Sequence, residues 1–310
     1  MKIISVINYK GGVGKTTVTA NIAAELARRN KKVLLLDMDA QASLTFSFIA
    51  PDFWNNNLKE IRTIKNYFDA ISQGNTPPPI SDFVIRPSQI NNYLQHLGSS
   101  GFVDLISSHL GLINVDLELA TLLGGANMNQ TKLNYIKVHG KLRDSIIQYA
   151  SGNYDVVLID CPPNFNIVTK NALIASDQIL IPAKPDYLST LGIDYLHRSV
   201  NQLIMEFNEF LNITPSTIGP ANPHILGVVF TMIQIYSGNP IASQQQFISQ
   251  TQRLGIPTFG TYFRENKSIF ASAPQNGIPV TLHAYNSGTY SDVVMEINAF
   301  VDEFQRIAGI

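Results

Sequence analysis

Residues 3–8, IISVIN, form an apolar run rich in β-branched side chains and closed by a glycine cluster, which predicts a buried strand entering a loop. From Thr16 to Arg29 the apolar positions Val18, Ile22, Ala23 and Leu26 recur at helical spacing, and Lys32–Leu36 gives a second apolar strand that ends at Asp37. Neither strand alternates apolar with polar positions. Continuous hydrophobicity belongs to strands covered on both faces, as in a parallel βαβ unit with a right-handed crossover. The same grammar returns in VVLID at 156–160, QILIPA at 178–183 and ILGVVFTM at 225–232, with helical stretches at about 164–176, 189–211 and 240–254. The chain therefore reads as α/β, with a doubly wound, mostly parallel sheet and helices on both faces.

Residues 48–150 break this rhythm. They hold Trp54, the loop SQGNTPPPI and the polar stretch NNYLQHLGSSG, followed by a predicted strand FVDLIS and a helix from Val115 to about Leu123. No low-complexity linker isolates the region. The expectation is one domain over 1–310, with an insertion-rich part at about 49–100.

Composition narrows the partners. Twenty-two Lys+Arg stand against 23 Asp+Glu, and 15% of residues are charged, so a polybasic nucleic-acid binder is excluded and any DNA affinity must come from a local patch. Residues 1–150 carry 15 basic and 11 acidic side chains, and 151–310 carry 7 and 12. The single cysteine, Cys161, excludes a disulfide framework or a cysteine-rich metal site and fits a reducing compartment. Phe210 to Gln252 contains no charged residue, yet its prolines, Asn and Gln interrupt it too often for a membrane span. With no long apolar run and no leader-like start, a cytoplasmic chain is expected.

The chemistry concentrates in Lys10-Gly11-Gly12-Val13-Gly14-Lys15-Thr16-Thr17, between the first strand and first helix. The glycines allow successive N–H groups to point into one concavity at the positive end of a helix, which suits phosphate oxygens. Lys15 is placed for the β- and γ-phosphates, Thr16 for Mg²⁺ and Thr17 for the α-phosphate. Tyr9 occupies the position where a plain Walker A loop has glycine.

With its extra lysine, KGGVGKTT resembles the deviant Walker A loop of the ParA/MinD family of ATPases. Asp37-Met38-Asp39-Ala40-Gln41 resembles that family's first switch, with Ala40 in place of proline. Ile159-Asp160-Cys161-Pro162-Pro163 resembles its Walker B and second switch, and Asn171-Ala172-Leu173 with Ile181-Pro182 the segment after it. The likeness covers about 1–48 and 100–310. It implies a P-loop fold, ATP and Mg²⁺ as ligands, and an ATP-sandwich homodimer in which Lys10 reaches the phosphates held by the other subunit. A solvated loop lysine is the alternative for Lys10. The resemblance further implies catalytic roles for Lys10, Lys15, Asp39 and Asp160, with Thr16, Asp39 and Asp160 around the metal and Asp37 as a supporting partner. Thr231-Met232 and Tyr262-Phe263-Arg264 correspond to segments flanking adenine, so Met232, Phe263 and Arg264 join the cofactor-binding set; Phe263 either stacks on the base or packs in the core. An iron–sulfur cluster between subunits needs two cysteines per chain and is excluded.

Partners follow from the same resemblance. ParA-like proteins bind DNA without sequence preference and work with a ParB-like or other adaptor, whereas MinD-like ones bind membranes through a terminal amphipathic helix. Here the last segment carries Asp292, Glu296, Asp302 and Glu303 against Arg306 on its polar side, which argues for packing on the sheet and no membrane partner. Arg198, Arg253, Arg264 and Lys267 are the candidate DNA-facing cations of the C-terminal half. The expected function is a nucleoid-associated ATPase positioning a plasmid, chromosome region or protein organelle such as a carboxysome. The rivals are a nucleotide-gated scaffold without turnover and a MinD-like membrane cycler.

Overall fold

Eight strands make the central sheet of the computed structural model, which describes residues 1–213, 218–284 and 288–310. In chain order the first half comprises β1 (Lys2–Val6), α1 (Lys15–Arg28), β2 (Lys32–Asp37), α2 (Ser43–Phe46), α3 (Pro51–Asn57), α4 (Ile64–Ser72), β3 (Val84–Ile85), α5 (Ser88–His96), β4 (Phe102–Ile106), α6 (Leu112–Leu122) and α7 (Met128–Ala150). The second half comprises β5 (Val156–Asp160), α8 (Ile167–Ala175), β6 (Gln178–Ala183), α9 (Tyr187–Ile213), β7 (His224–Ile233), β8 (Ile235–Tyr236), β9 (Asn239–Pro240), α10 (Ala242–Arg253), β10 (Thr258–Arg264), α11 (Lys267–Ser272) and α12 (Thr289–Ala308). The sheet order is β10-β7-β6-β1-β5-β2-β4-β3, parallel throughout except for the antiparallel edge strand β3. β8 and β9 form a separate hairpin.

The two faces explain why the strands are continuously apolar. Ile3, Leu34, Leu36, Val157 and Ile159 belong to one buried cluster, whereas Ile4, Val33, Leu35, Val156 and Leu158 belong to another, so alternate side chains enter cores on opposite sides of the sheet. The order in which strands are added reverses around β1: the connection through α1 leads to β2, while β6 lies on β1's other side. Such a switch point opens a crevice at the carboxyl ends of the strands, where open α/β sheets bind ligands.

Residues 48–150 are more regular than their sequence suggests. The expected loop-rich part contains α3, α4 and α5, and the stretch after α6 is the 23-residue α7, which periodicity did not predict. Its inward positions Ile136, Val138, Leu142, Ile146 and Ala150 are buried, but interleaved polar residues dilute the apolar stripe. Asn127 starts the helix, its side chain accepting from Gln130 N–H at 3.0 Å. At the other terminus α12 buries Val293, Ile297, Phe300, Val301 and Phe304, as the acidic polar face implied.

Candidate functional site

The loop between β1 and α1 is anchored before it turns. Asn8 Nδ2 donates to the Pro182 carbonyl at 2.8 Å and Asn8 Oδ1 accepts from Lys10 N–H at 2.9 Å, while Thr231 Oγ1 donates to the Val13 carbonyl at 2.8 Å. Gly12 and Gly14 have φ of +70° and +81°, a region that side chains disfavour, which explains glycine at both places. Gly14 is also the N-cap of α1, so the open N–H groups of the helix face the concavity.

A cavity of about 670 Å³ lies over this loop, lined by Gly11, Gly12, Gly14, Lys15, Thr16 and Thr17 on one side and by Asp39 and Pro163 on another. Its size suits a nucleotide. The far wall comes from Phe270, Ala273, Pro274, Pro279 and Val280, which sequence reasoning missed because no motif marks them.

Lys15 is buried, and its Nζ makes only a long 3.4 Å bond to the Lys10 carbonyl among the described residues. Burial pulls its pKa down, and Asp160 and Asp39 oppose that shift. A buried ammonium so placed is a partner for an anion.

Asp160 and Asp37 end the adjacent strands β5 and β2, directly opposite one another in the register. Burial raises both carboxyls, Asp37 to about 8 and Asp160 to about 7; Thr16 and Lys15 pull Asp160 the other way. Thr16 Oγ1 donates to Asp160 Oδ2 at 2.7 Å, and Thr19 Oγ1 to Asp160 Oδ1 at 3.3 Å. No group of three or more His, Cys, Asp or Glu forms a metal site among the described residues. The donor set fits Mg²⁺ in a particular way, since that ion takes one or two protein oxygens and completes its shell with phosphates and water. Thr16 and Asp160 are bonded together beneath the phosphate loop, and Asp39 lines the same cavity with Oδ1 accepting from Gln41 N–H at 3.0 Å.

The structure thus brings Gly11 to Thr17, Asp39 and Asp160 together, and separates Lys10 from them. Lys10 Nζ lies 2.6 Å from Asp186 Oδ2 at the start of α9, and Lys10 is not among the residues lining the cavity. Asp186 was missed, although the segment Asp186-Tyr187-Leu188-Ser189 is readable as a helix start; its Oδ1 accepts from Ser189 N–H at 2.9 Å.

At the base end Phe263 takes one of the two places left open for it, and two of the candidate cations are paired with carboxylates. A smaller cavity of about 170 Å³ is bordered by Thr17, Thr231, Met232 and Phe263, and Met232 adopts a left-handed φ of +54°. Phe263 itself is 3% exposed and its ring packs on Phe300 at 5.1 Å, so its main engagement is with the core. Arg264 also borders this cavity, but Glu296 holds its guanidinium at 2.6 Å and Asp292 at 3.3 Å, which removes it from the available DNA-facing cations. Arg198 pairs with Asp194 one helical turn away at 2.9 Å.

Comparison with known proteins agrees with this architecture. The family described as an AAA domain matches residues 1–213. The sporulation initiation inhibitor protein Soj of Bacillus subtilis is 25% identical over 96% of this chain and 98% of its own length. The chromosome-partitioning ATPase Soj of Treponema pallidum is 26% identical over 90% of this chain and 89% of its own. The solved complex of Cyanothece McdA with ATP superposes with a TM-score of 0.70 at 20% identity, covering 100% of this chain and 97% of that one.

Proposed function

The chain belongs to the AAA domain family, as a ParA-type member, and from that premise we propose that its 310 residues act as one ATPase domain that binds ATP with Mg²⁺, pairs as an ATP-sandwich homodimer and hydrolyses ATP slowly. The observation that carries this reading is the different placement of two lysines of one loop. Lys15 is buried inside the cavity, whereas Lys10 is held outside it by Asp186. A cation presented outward beside a phosphate site is suited to serve a nucleotide held by a second copy, as an arginine finger does.

In this reading the N–H groups of residues 11–17 and Lys15 hold the phosphates, and Thr16 and Asp160 hold Mg²⁺. The ion neutralises charge that develops on the phosphates. Asp39 orients the attacking water and takes its proton, a role supported by its place in the cavity wall with no ion pair among the described residues. An adaptor of the ParB type stimulates turnover, and the ATP-bound dimer binds DNA without sequence preference, so that a plasmid, chromosome region or protein organelle follows it. The name of the Treponema relative supports the partition role. With Arg264 neutralised, Arg198, Arg253 and Lys267 remain the exposed candidates of the C-terminal half for phosphate contacts, Arg198 beside Asp194 and Lys267 4.0 Å from Glu265. No described helix is long and apolar enough to cross a membrane, and the burial of α12's apolar face removes the motive for a membrane-cycling reading.

Purified protein with ATP or ADP, sedimented with DNA and separately with anionic liposomes while phosphate release is followed, tests the reading. ATP-dependent co-sedimentation with DNA and measurable turnover are expected. Binding to liposomes but not DNA, or binding without turnover, contradicts it.

A further inference from the structure

Both main-chain polar groups of Asp39 are hydrogen-bonded, and its carbonyl, which accepts from Ala42 N–H at 2.8 Å within the loop, is also reached from the end of another strand. Its N–H donates to Asp37 Oδ1 at 3.2 Å, and its carbonyl accepts from Ser108 Oγ at 2.6 Å. Ser108 follows β4, the strand next to β2, so it is carried to this point by the sheet. The two anchors are themselves joined. Ser108 N–H donates to Thr45 Oγ1 at 2.9 Å, Thr45 Oγ1 donates to Asp37 Oδ2 at 2.7 Å, and Thr45 N–H donates to the same oxygen at 2.8 Å. The bonds close a ring through Asp39, Asp37, Thr45 and Ser108. Asp37, Thr45 and Ser108 are wholly buried, whereas Asp39 lines the cavity.

The ring treats Asp39 unlike its other members. Asp37, Thr45 and Ser108 each give at least one side-chain atom to it, Thr45 and Ser108 adding their N–H groups; Asp39 enters through its backbone alone, which leaves its carboxylate for the cavity. We propose that Thr45 and Ser108 are positioning residues for the hydrolytic step, fixing the main chain of Asp39 so that its carboxylate faces the phosphate site. This rests on the reading of Asp39 as the residue that orients water. Nothing in the phosphate loop requires either hydroxyl, and neither residue lines the main cavity. Their contribution is geometric: displacement of a reacting group by an ångström costs on the order of 100-fold in rate.

The molecule also carries its own reporter. Trp54, the sole tryptophan of the sequence, donates from Nε1 to the Ser108 carbonyl at 3.1 Å. Movement of Asp39 that passes through Ser108 alters the surroundings of that indole.

The test uses the full chain with Thr45→Val, which keeps the shape and removes the hydroxyl, Thr45→Ser, which restores it, and Ser108→Ala. ATP affinity, single-turnover hydrolysis and Trp54 emission are measured on each. Thr45→Val and Ser108→Ala are expected to hydrolyse ATP at least about 10-fold more slowly with affinity within about two-fold, and Thr45→Ser to recover most of the rate. The ATP-induced change in Trp54 emission is expected in the wild type and in Thr45→Ser, and to be lost in the other two. Equal rates for Thr45→Val and Thr45→Ser, or a parallel loss of ATP affinity, overturn the proposal. A wild type that binds ATP without turnover overturns the ATPase reading instead, and the ring is then judged by emission alone: a change that Thr45→Val leaves intact refutes it.

Discussion

Lys10 Nζ lies 2.6 Å from Asp186 Oδ2, so the lysine proposed to act on a second copy is neutralised within its own subunit. Both partners are about one-third exposed, at 35% and 30%, and pairs of that kind contribute roughly 0–1 kcal/mol. The interaction is strong enough to orient the side chain and weak enough to exchange for the multiple charges of a triphosphate. Tyr187, Leu188, Leu191 and Tyr195 stand exposed along α9 on from the same aspartate, an apolar face beside the ion pair.

Asp186→Asn removes the charge but keeps an N-cap acceptor for Ser189 N–H. Freed from its internal partner, Lys10 is expected to support dimerisation at an ATP concentration up to about five-fold lower, the equivalent of about 1 kcal/mol. Light scattering across an ATP titration reads this. A higher ATP requirement in Asp186→Asn would show that the aspartate assists assembly.

Asp39→Ala is expected to lower hydrolysis by a factor on the order of 10² to 10³ with ATP binding retained, the size of effect typical for a positioned base. Filter binding and phosphate release on the same preparation separate the two quantities. Lys15→Ala is expected to fail at the earlier stage and lose ATP binding itself, because it removes the buried ammonium that lines the cavity.

His139 offers a pH dependence of stability whose sign is determined by burial. It is fully buried, stacked 4.3 Å from Tyr135, with Nδ1 3.0 Å from the Tyr135 carbonyl, and burial lowers its pKa to about 4, helped by nearby Lys170. Between pH 6.5 and 4 the unfolded chain therefore binds a proton that the native state rejects, and stability falls as pH falls through that window. At pH 5 the loss is roughly 2 kcal/mol, from about 1.4 kcal/mol per pKa unit. His139→Phe keeps an aromatic ring in place, and its chemical denaturation midpoint is expected to vary less between pH 7 and 5 than the wild type's. Identical profiles would show that His139 is not the group responsible.

Phe263 distinguishes a core role from a base-stacking one. Its contact with Phe300, itself packed on Phe259 and Phe304, predicts that Phe263→Leu costs about 1 to 1.5 kcal/mol of stability and changes ATP affinity by less than about two-fold. A ten-fold loss of affinity with unchanged stability would contradict this.

How far the sequence reaches is clear from individual residues. The strands at 156–160 and 178–183 were legible to the residue because each is a continuous apolar run with both faces buried. The phosphate loop was legible because glycine at 11, 12 and 14 and lysine at 15 answer a local demand of backbone and charge. Asp186, Ser108 and Thr45 were not. Their importance arises from partners 176, 69 and 63 positions away, which only the strand order brings together. α7 escaped for a different reason, since its buried positions are separated by Lys137, Lys141, Arg143, Asp144 and Gln148, which blur a 3.6-residue period.

If Lys10 acts between subunits while Lys15 acts within one, the two lysines separate in sedimentation equilibrium of wild type and Lys10→Ala, each with saturating ATP and Mg²⁺ and with bound nucleotide quantified in the same samples. A dimeric wild type and a monomeric Lys10→Ala that still binds one ATP per chain are expected. A Lys10→Ala protein that remains dimeric, or one that loses ATP binding as Lys15→Ala does, would contradict a role for Lys10 between subunits.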